Sequence, residues 1–247
     1  MSDTPFTLLQ ISDCHLCDAH DGLYKAQSPD ENILRLLPAL KATKPDGIVL
    51  TGDVAERGDR AAYERAATYF HALAPHKAWI PGNHDDRSMM SEVLSNKGFV
   101  FESVLLWGQW RLVLLDSVID NDPAGELDDE AIALLMTQAK SDQPTLVFIH
   151  HPPLPVGAAW IDKYPLKKPQ ALMEAIDSNW VKAVCFGHVH QVFSETRAGV
   201  QYLSAPATSV NSQSGFDVFT PDPTGPKARW FKLWPNGRWA TGVISAG

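Results

Sequence analysis

The chain has 247 residues, 45% apolar and 20% charged, a composition that excludes a disordered or collagen-like protein. Its 21 basic and 29 acidic side chains leave a formal charge of −8, which argues against a partner such as polymeric nucleic acid, because that binding rests on clustered cations. The length suits one α/β domain spanning residues 1–247.

The start, Met1-Ser2-Asp3-Thr4-Pro5, has neither a basic n-region nor an apolar core, so no signal peptide is expected. No apolar run reaches the ~18 residues of a membrane span. Three cysteines, Cys14, Cys17 and Cys185, make no disulfide framework. These features point to the cytoplasm. Cys14 and Cys17 form a C-x-x-C without a second such pair or a following histidine. They are read as small side chains beside a site that belongs to His15, rather than as a redox or zinc pair.

In chain order, Phe6–Ser12 is a short apolar run with the length of a buried strand. Ser28-Pro29-Asp30-Glu31 opens a helix: Ser28 caps, Pro29 suits the first position and Glu31 completes a capping box. Ile33, Leu36, Leu37 and Leu40 then line one face. Gly47–Thr51 is a second strand, Asp59 to Ala74 a second helix, and Ala78–Ile80 a third strand. Phe99–Leu106 and Trp110–Leu115 read as a hairpin about Gly108-Gln109. Asp128 caps a helix through Ala139, Thr145–Ile149 is a strand, and a helix from Pro169 to Asp177 leads to the strand Ala183–Phe186. Beyond Gln191 the helical period disappears. Val192–Thr196, Val200–Ser204, Phe216–Phe219, Ala228–Trp234 and Arg238–Ile244 are expected as short strands. Mixed βα units followed by antiparallel strands suggest two packed sheets with helices outside.

The chemistry gathers at strand ends. Asp13 and His15 follow the first strand, Gly52-Asp53 the second, and Gly82-Asn83-His84-Asp85 the third. His150-His151 follows Thr145–Ile149, and Gly187-His188-Val189-His190 follows Ala183–Phe186. Ligands of open α/β sheets bind at such carboxyl ends. Any one of these histidines alone would be read as a core residue; together, beside Asp and Asn, they are read as metal ligands. Oxygen and imidazole donors suit Mn, Fe, Zn or Co, and they outnumber what one tetrahedral ion takes, so two divalent metal ions sharing a bridge are expected. His20, His71 and His76 are read as surface residues. The tryptophans at 107, 110, 230, 234 and 239 are read as core or as a homodimer contact.

Asp13-x-His15, Gly52-Asp53, Gly82-Asn83-His84-Asp85, His150 and Gly187-His188-Val189-His190, in that order, resemble the signature of the calcineurin-like metallophosphoesterases. Gln10-Ile11-Ser12-Asp13, Leu115-Asp116-Ser117, Gly125-Glu126-Leu127, His150-His151-Pro152-Pro153-Leu154-Pro155 and Trp160-Ile161-Asp162 bring the chain nearer to the class III 3′,5′-cyclic AMP phosphodiesterases. The resemblance implies a four-layer α/β/β/α sandwich of two mixed sheets flanked by helices. It implies that Asp13, His15 and His190 hold one metal, that Asn83, His150 and His188 hold the other, and that Asp53 bridges them. His150 is preferred over His151 as the first residue after its strand. His84 would contact the phosphate and protonate the leaving oxygen, with Asp85 orienting it. Asn83, His84, His151 and Trp160 are the candidate substrate contacts. Read from the residues themselves, His151 either holds its neighbour or a substrate oxygen or packs under Pro152, and Trp160, in the Pro-rich loop after the histidine pair, is placed where it could close over a nucleobase. The implied reaction is hydrolysis of a small phosphodiester, cyclic AMP to 5′-AMP, by a metal-bridging hydroxide. A glycerophosphodiesterase or broad phosphodiesterase is the neighbouring alternative. A non-catalytic scaffold on the same fold is the alternative of another class, and it would be expected to lose ligands that this chain keeps.

Overall fold

A computed structural model describes residues 4–138 and 142–246; Met1–Asp3, which open the leader reading, and Ala139, the expected end of one helix, lie outside them. The elements run β1 (Phe6–Ile11), α1 (Pro29–Ala42), β2 (Gly47–Thr51), α2 (Arg60–Phe70), β3 (His76–Ile80) and α3 (Arg87–Ser95). A hairpin of β4 (Val104–Trp107) and β5 (Trp110–Leu114) is followed by a smaller one of β6 (Val118–Ile119) and β7 (Asp122–Gly125). Then come α4 (Asp129–Gln138), β8 (Thr145–Phe148), α5 (Ala159–Asp162), α6 (Pro169–Ala175) and β9 (Val181–Phe186). The chain closes with β10 (Ser194–Arg197), β11 (Val200–Ser204), β12 (Lys227–Leu233) and β13 (Trp239–Ser245). The Ser28 hydroxyl accepts from the Glu31 amide, as the capping box requires.

Five strands form one sheet in the order β13-β12-β1-β2-β3, and six form another in the order β10-β11-β9-β8-β5-β4. β1, β2 and β3 run parallel, as do β5, β8, β9 and β11, while the outer strands pair antiparallel. The pleat sorts the side chains into layers. Leu8, Val49, Leu112, Leu114, Leu146 and Phe148 meet between the sheets. Their neighbours Leu9, Ile48 and Leu50 turn outward onto α1 and α2, and Val113 and Val147 onto α4 and α6. This is the expected four-layer α/β/β/α arrangement, and it brings the carboxyl ends of β1, β2, β3, β8 and β9 to one rim.

Phe216–Phe219 is not a strand. It lies in the connection from β11 to β12, folded back by a Gln213 to Thr220 backbone bond of 2.7 Å, with Phe216 and Val218 exposed and, among the described residues, no strand paired to it. Trp107 and Trp110 are buried in the inter-sheet core, Trp239 packs against it and Trp230 against the α1–α2 layer. These tryptophans are thus used within the chain. Cys14, Cys17 and Cys185 are free thiols, and Cys14 accepts from the Thr208 hydroxyl at 3.2 Å. Among the described residues, no helix is long and apolar enough to cross a membrane.

Candidate metal centre

The loops after β1 and β2 are laced together. The Asp13 amide donates to the Gly52 carbonyl at 3.0 Å and the His15 amide to the Asp53 carbonyl at 2.9 Å. Asp13, His15, Asp53, His188 and His190 all have positive φ, between 43° and 69°. Non-glycine residues seldom take this conformation, which costs about 1–3 kcal/mol each. The concentration of such residues at one rim marks a place where side-chain direction outweighs backbone comfort. Gly82 is required for a different reason: a β-carbon there would lie 2.2 Å from Asp53 Oδ1 and 2.4 Å from the Asp53 amide nitrogen.

The ligand atoms of Asp13, His15 and His190 lie within 4.8 Å of one another. His15 Nδ1 faces Glu56 Oε2 at 2.6 Å, and His190 Nδ1 faces the Val210 carbonyl at 2.8 Å. With both Nδ1 atoms donating, both Nε2 atoms present lone pairs, and these stand 3.0 Å apart. A cation between them relieves that repulsion. Burial drives the His15 pKa below its ordinary value against the pull of Glu56 and Asp53, which favours the neutral, ligating ring. The Asp13 carboxyl is raised by burial but more strongly lowered by His190 and His150, so it stays ionised.

A second cluster gathers His150, His151 and His188, again with ligand atoms within 4.8 Å. His150 Nδ1 donates to the Thr51 carbonyl at 2.8 Å, freeing Nε2. His150 Nε2, His188 Nε2 and Asn83 Oδ1 are all buried with no hydrogen-bond partner. Each unpaired buried polar atom costs about 1–3 kcal/mol, and a cation between His150 and His188 would offset that cost for both rings. Asp53 Oδ2 lies 3.3 Å from His150 Nε2 and 3.7 Å from His15 Nε2, so one carboxylate oxygen faces both clusters. Burial opposes its charge, yet His150 and the other histidines hold the Asp53 pKa well below the ordinary range. The residues therefore fit a pair of divalent cations: buried imidazole nitrogens converge from both sides of Asp53, and His188 Nε2 among them has no hydrogen-bond partner.

His84 differs from the histidines of the two clusters. Its side chain is 35% exposed, against 1% for His15 and 0% for His150. Its Nδ1 donates to the Glu56 carbonyl at 2.9 Å, and its amide donates to Asp53 Oδ1 at 3.0 Å. Burial works against its charged form, but Asp53 and the Glu56 carbonyl outweigh this and raise its pKa. The ring is anchored at one nitrogen and edges His15 at 4.8 Å between centroids.

One expectation is corrected here. Asp85 does not orient the His84 ring. It accepts from the amides of Ala55 and Gly82 at 3.0 Å each, from Val54 at 3.3 Å and from the Tyr63 hydroxyl at 3.1 Å. It ties the Asp53 loop to the Gly82 loop. His151, expected to support its neighbour, to meet substrate or to pack under Pro152, belongs to the second cluster. It is fully buried, with Nδ1 2.8 Å from the Ser117 hydroxyl and its ring 4.9 Å from His188. Burial and the neighbouring His150 push its pKa well down, so it is a neutral member of the second cluster. Trp160 is half-buried and sets its ring edgewise to His190 at 6.3 Å and to Phe219 at 5.0 Å. Two residues escaped the sequence reading. Glu56, the partner of His15, could have been found from its place three residues past Asp53. Tyr24, stacked on His15 at 4.1 Å, carries no such signal, because only the turn Tyr24–Gln27 swings it over the site.

The family model of the calcineurin-like phosphoesterases matches residues 6–192. The chain is 34% identical over 245 residues to the 3′,5′-cyclic-nucleotide phosphodiesterase alr5338 of Nostoc sp., covering 97% of this chain and 92% of that protein. It is also 34% identical over 255 residues to the 3′,5′-cyclic adenosine monophosphate phosphodiesterase CpdA of Pseudomonas aeruginosa, covering 98% and 92%. Among solved structures, a dimetal phosphatase from Danio rerio superposes with a TM-score of 0.66 at 17% identity, covering 99% of this chain and all of that one. At that identity the likeness concerns the fold.

Proposed function

The chain belongs to the calcineurin-like phosphoesterase family, and we propose that it is a dinuclear-metal phosphodiesterase that hydrolyses 3′,5′-cyclic AMP to 5′-AMP. The observation that carries this reading is the placement of Asp53 Oδ2 between two groups of bare imidazole nitrogens, with a part-exposed histidine beside them. The names of the relatives from Nostoc and Pseudomonas support the substrate.

Asp13, His15 and His190 would hold one ion and Asn83, His150 and His188 the other, with Asp53 placed to serve both. A pair of divalent cations bound there would supply Lewis acidity toward the phosphate and a nucleophile at neutral pH by lowering the pKa of water. The chain's own residues do the rest. Glu56 fixes the tautomer of His15, as the Thr51 and Val210 carbonyls do for His150 and His190. Asn83 and His84 meet the phosphate. The water oxygen bonds to phosphorus as the P–O3′ bond breaks; protonated His84 gives its Nε2 proton to the departing 3′ oxygen, and the proton released by the attacking water passes to solvent, from which His84 is reprotonated. Trp160 walls the site beside His190. Manganese, iron, zinc and cobalt all suit the donor set, and the three free thiols suit a cytoplasmic setting.

The test is kcat/KM for cyclic AMP, cyclic GMP, 2′,3′-cyclic AMP and glycerophosphodiesters on one metal-loaded preparation. Cyclic AMP is expected to lead. A glycerophosphodiester turned over faster would replace the substrate assignment, and no turnover with any of the four metals would favour a scaffold.

A further inference from the structure

A cavity of about 520 Å³ opens directly onto Asn83 and His84. Arg57 and Ser88 also line it, and across from their segments stand Ile119 and Asn121 of the β6–β7 hairpin. A phosphodiester whose phosphate lies at Asn83 and His84 must send its organic substituent somewhere, and this space adjoins that point. We propose that this cavity receives the nucleoside of the substrate and that Arg87 is the positioning residue that holds its outer wall. The proposal rests on the phosphodiesterase reading and names the subsite that would set its specificity.

The hairpin belongs to neither large sheet. A two-stranded ribbon alone is marginal in water, its register shifts between Val118 and Ile119, and Asn121 at its turn has a φ of 61°. Its base is anchored, because Gly125 donates to the Pro165 carbonyl and accepts from the Lys167 amide. Its tip is held by Arg87, the first residue of α3 and only three positions past His84. Arg87 Nε and Nη2 reach the two oxygens of Asp116 at 2.6 Å and 3.4 Å. Nη1 donates to Asp120 at 2.9 Å and Nη2 to the Val118 carbonyl at 2.5 Å. Asp116 in turn accepts from the Val118 amide at 2.9 Å. A planar guanidinium with several donors suits this task in a way that a lysine point charge does not. One side chain thus couples the loop that meets the phosphate to the wall that would meet the nucleoside. The lining is rich in hydrogen-bonding groups, with Val118 and Ile119 as its apolar part, and Arg57 makes no ion pair among the described residues. That chemistry suits a ribose and a heterocycle better than an alkyl chain.

The experiment compares wild type, Arg87→Ala, Arg87→Lys and Ser88→Trp as metal-loaded full chains. The substrates are cyclic AMP, the p-nitrophenyl ester of thymidine 5′-monophosphate, and methyl p-nitrophenyl phosphate, whose methyl group leaves the cavity empty. Arg87→Ala is expected to raise KM for the nucleoside diesters about tenfold with kcat nearly kept, and to change the methyl ester by less than about threefold. Arg87→Lys should recover part of the loss. Ser88→Trp, which fills the cavity without touching the arginine, should lower the nucleoside-to-methyl preference about tenfold and carries the test if Arg87→Ala does not fold. An equal fall on all substrates, or an unchanged nucleoside KM, would overturn the proposal. If wild type cleaves the thymidine ester but not cyclic AMP, the cyclic AMP reading fails and the cavity comparison stands on the ester. If it cleaves only the methyl ester, the nucleoside subsite itself is refuted.

Discussion

His84 concentrates the division of labour at this site. The histidines of the two clusters are sealed from solvent, whereas His84 keeps 35% of its side chain exposed and spends only Nδ1 on the protein. A general acid of this kind contributes ~10²–10⁴ in rate. His84→Ala is therefore expected to lower kcat by that order while the metal content, measured by mass spectrometry on the same preparation, stays at the wild-type value. A variant that lost its metals yet kept kcat would remove His84 from this role. The histidines and acids of the rim were legible in the sequence because each follows an apolar strand, so a strand end predicts a shared edge. The orientation of their partners was not legible. Which group Asp85 binds depends on the approach of the Asp53 and Gly82 loops, and Tyr24 reaches His15 only through a turn whose Lys25 and Ala26 both have positive φ. Periodicity carries no information about either.

At the scale of elements, the turns out of the strands are as specific as the ligands. β2 agrees with its sequence boundaries residue for residue, because glycines bracket it and every residue between is apolar or β-branched. β3, by contrast, begins two residues earlier than its apolar run, with His76 and Lys77 paired to Gly47 and Ile48. Tertiary pairing recruits polar residues that an isolated pattern excludes. Phe216–Phe219 failed in the opposite sense: its residues favour strand, but the topology offers no partner. Gly82 offers a clean test of turn geometry, since its β-carbon would strike the Asp53 carboxylate and amide. Gly82→Ala is expected to weaken manganese binding by about 10–100-fold, the range for lost support around a metal ligand. Calorimetric titration checks this, and wild-type affinity would show that the loop can shift without disturbing Asp53.

For the whole molecule, the buried pairing of His150 with Asp53 links charge to stability. Burial opposes the His150 charge, but Asp53 dominates and lifts its pKa from 6.5 to about 9 in the metal-free protein. The sign follows from the direction. A raised histidine contributes stability that is complete below the unfolded pKa and is lost as pH rises through the folded one. Metal binding needs the neutral ring, so metal stabilisation grows over the same window. The melting-temperature gap between manganese-loaded and chelator-stripped protein should widen from pH 6.5 to 9. A gap that narrows over that window would show that His150 and Asp53 are not the groups that the metal recruits.

The most direct measurement is anomalous diffraction from crystals grown with excess manganese. Two peaks about 3.5–4 Å apart are expected, one beside His15 and His190 and the other beside His150 and His188, with Asp53 Oδ2 between them. A single peak, or manganese bound elsewhere with Asp53 touching none, would contradict the paired centre.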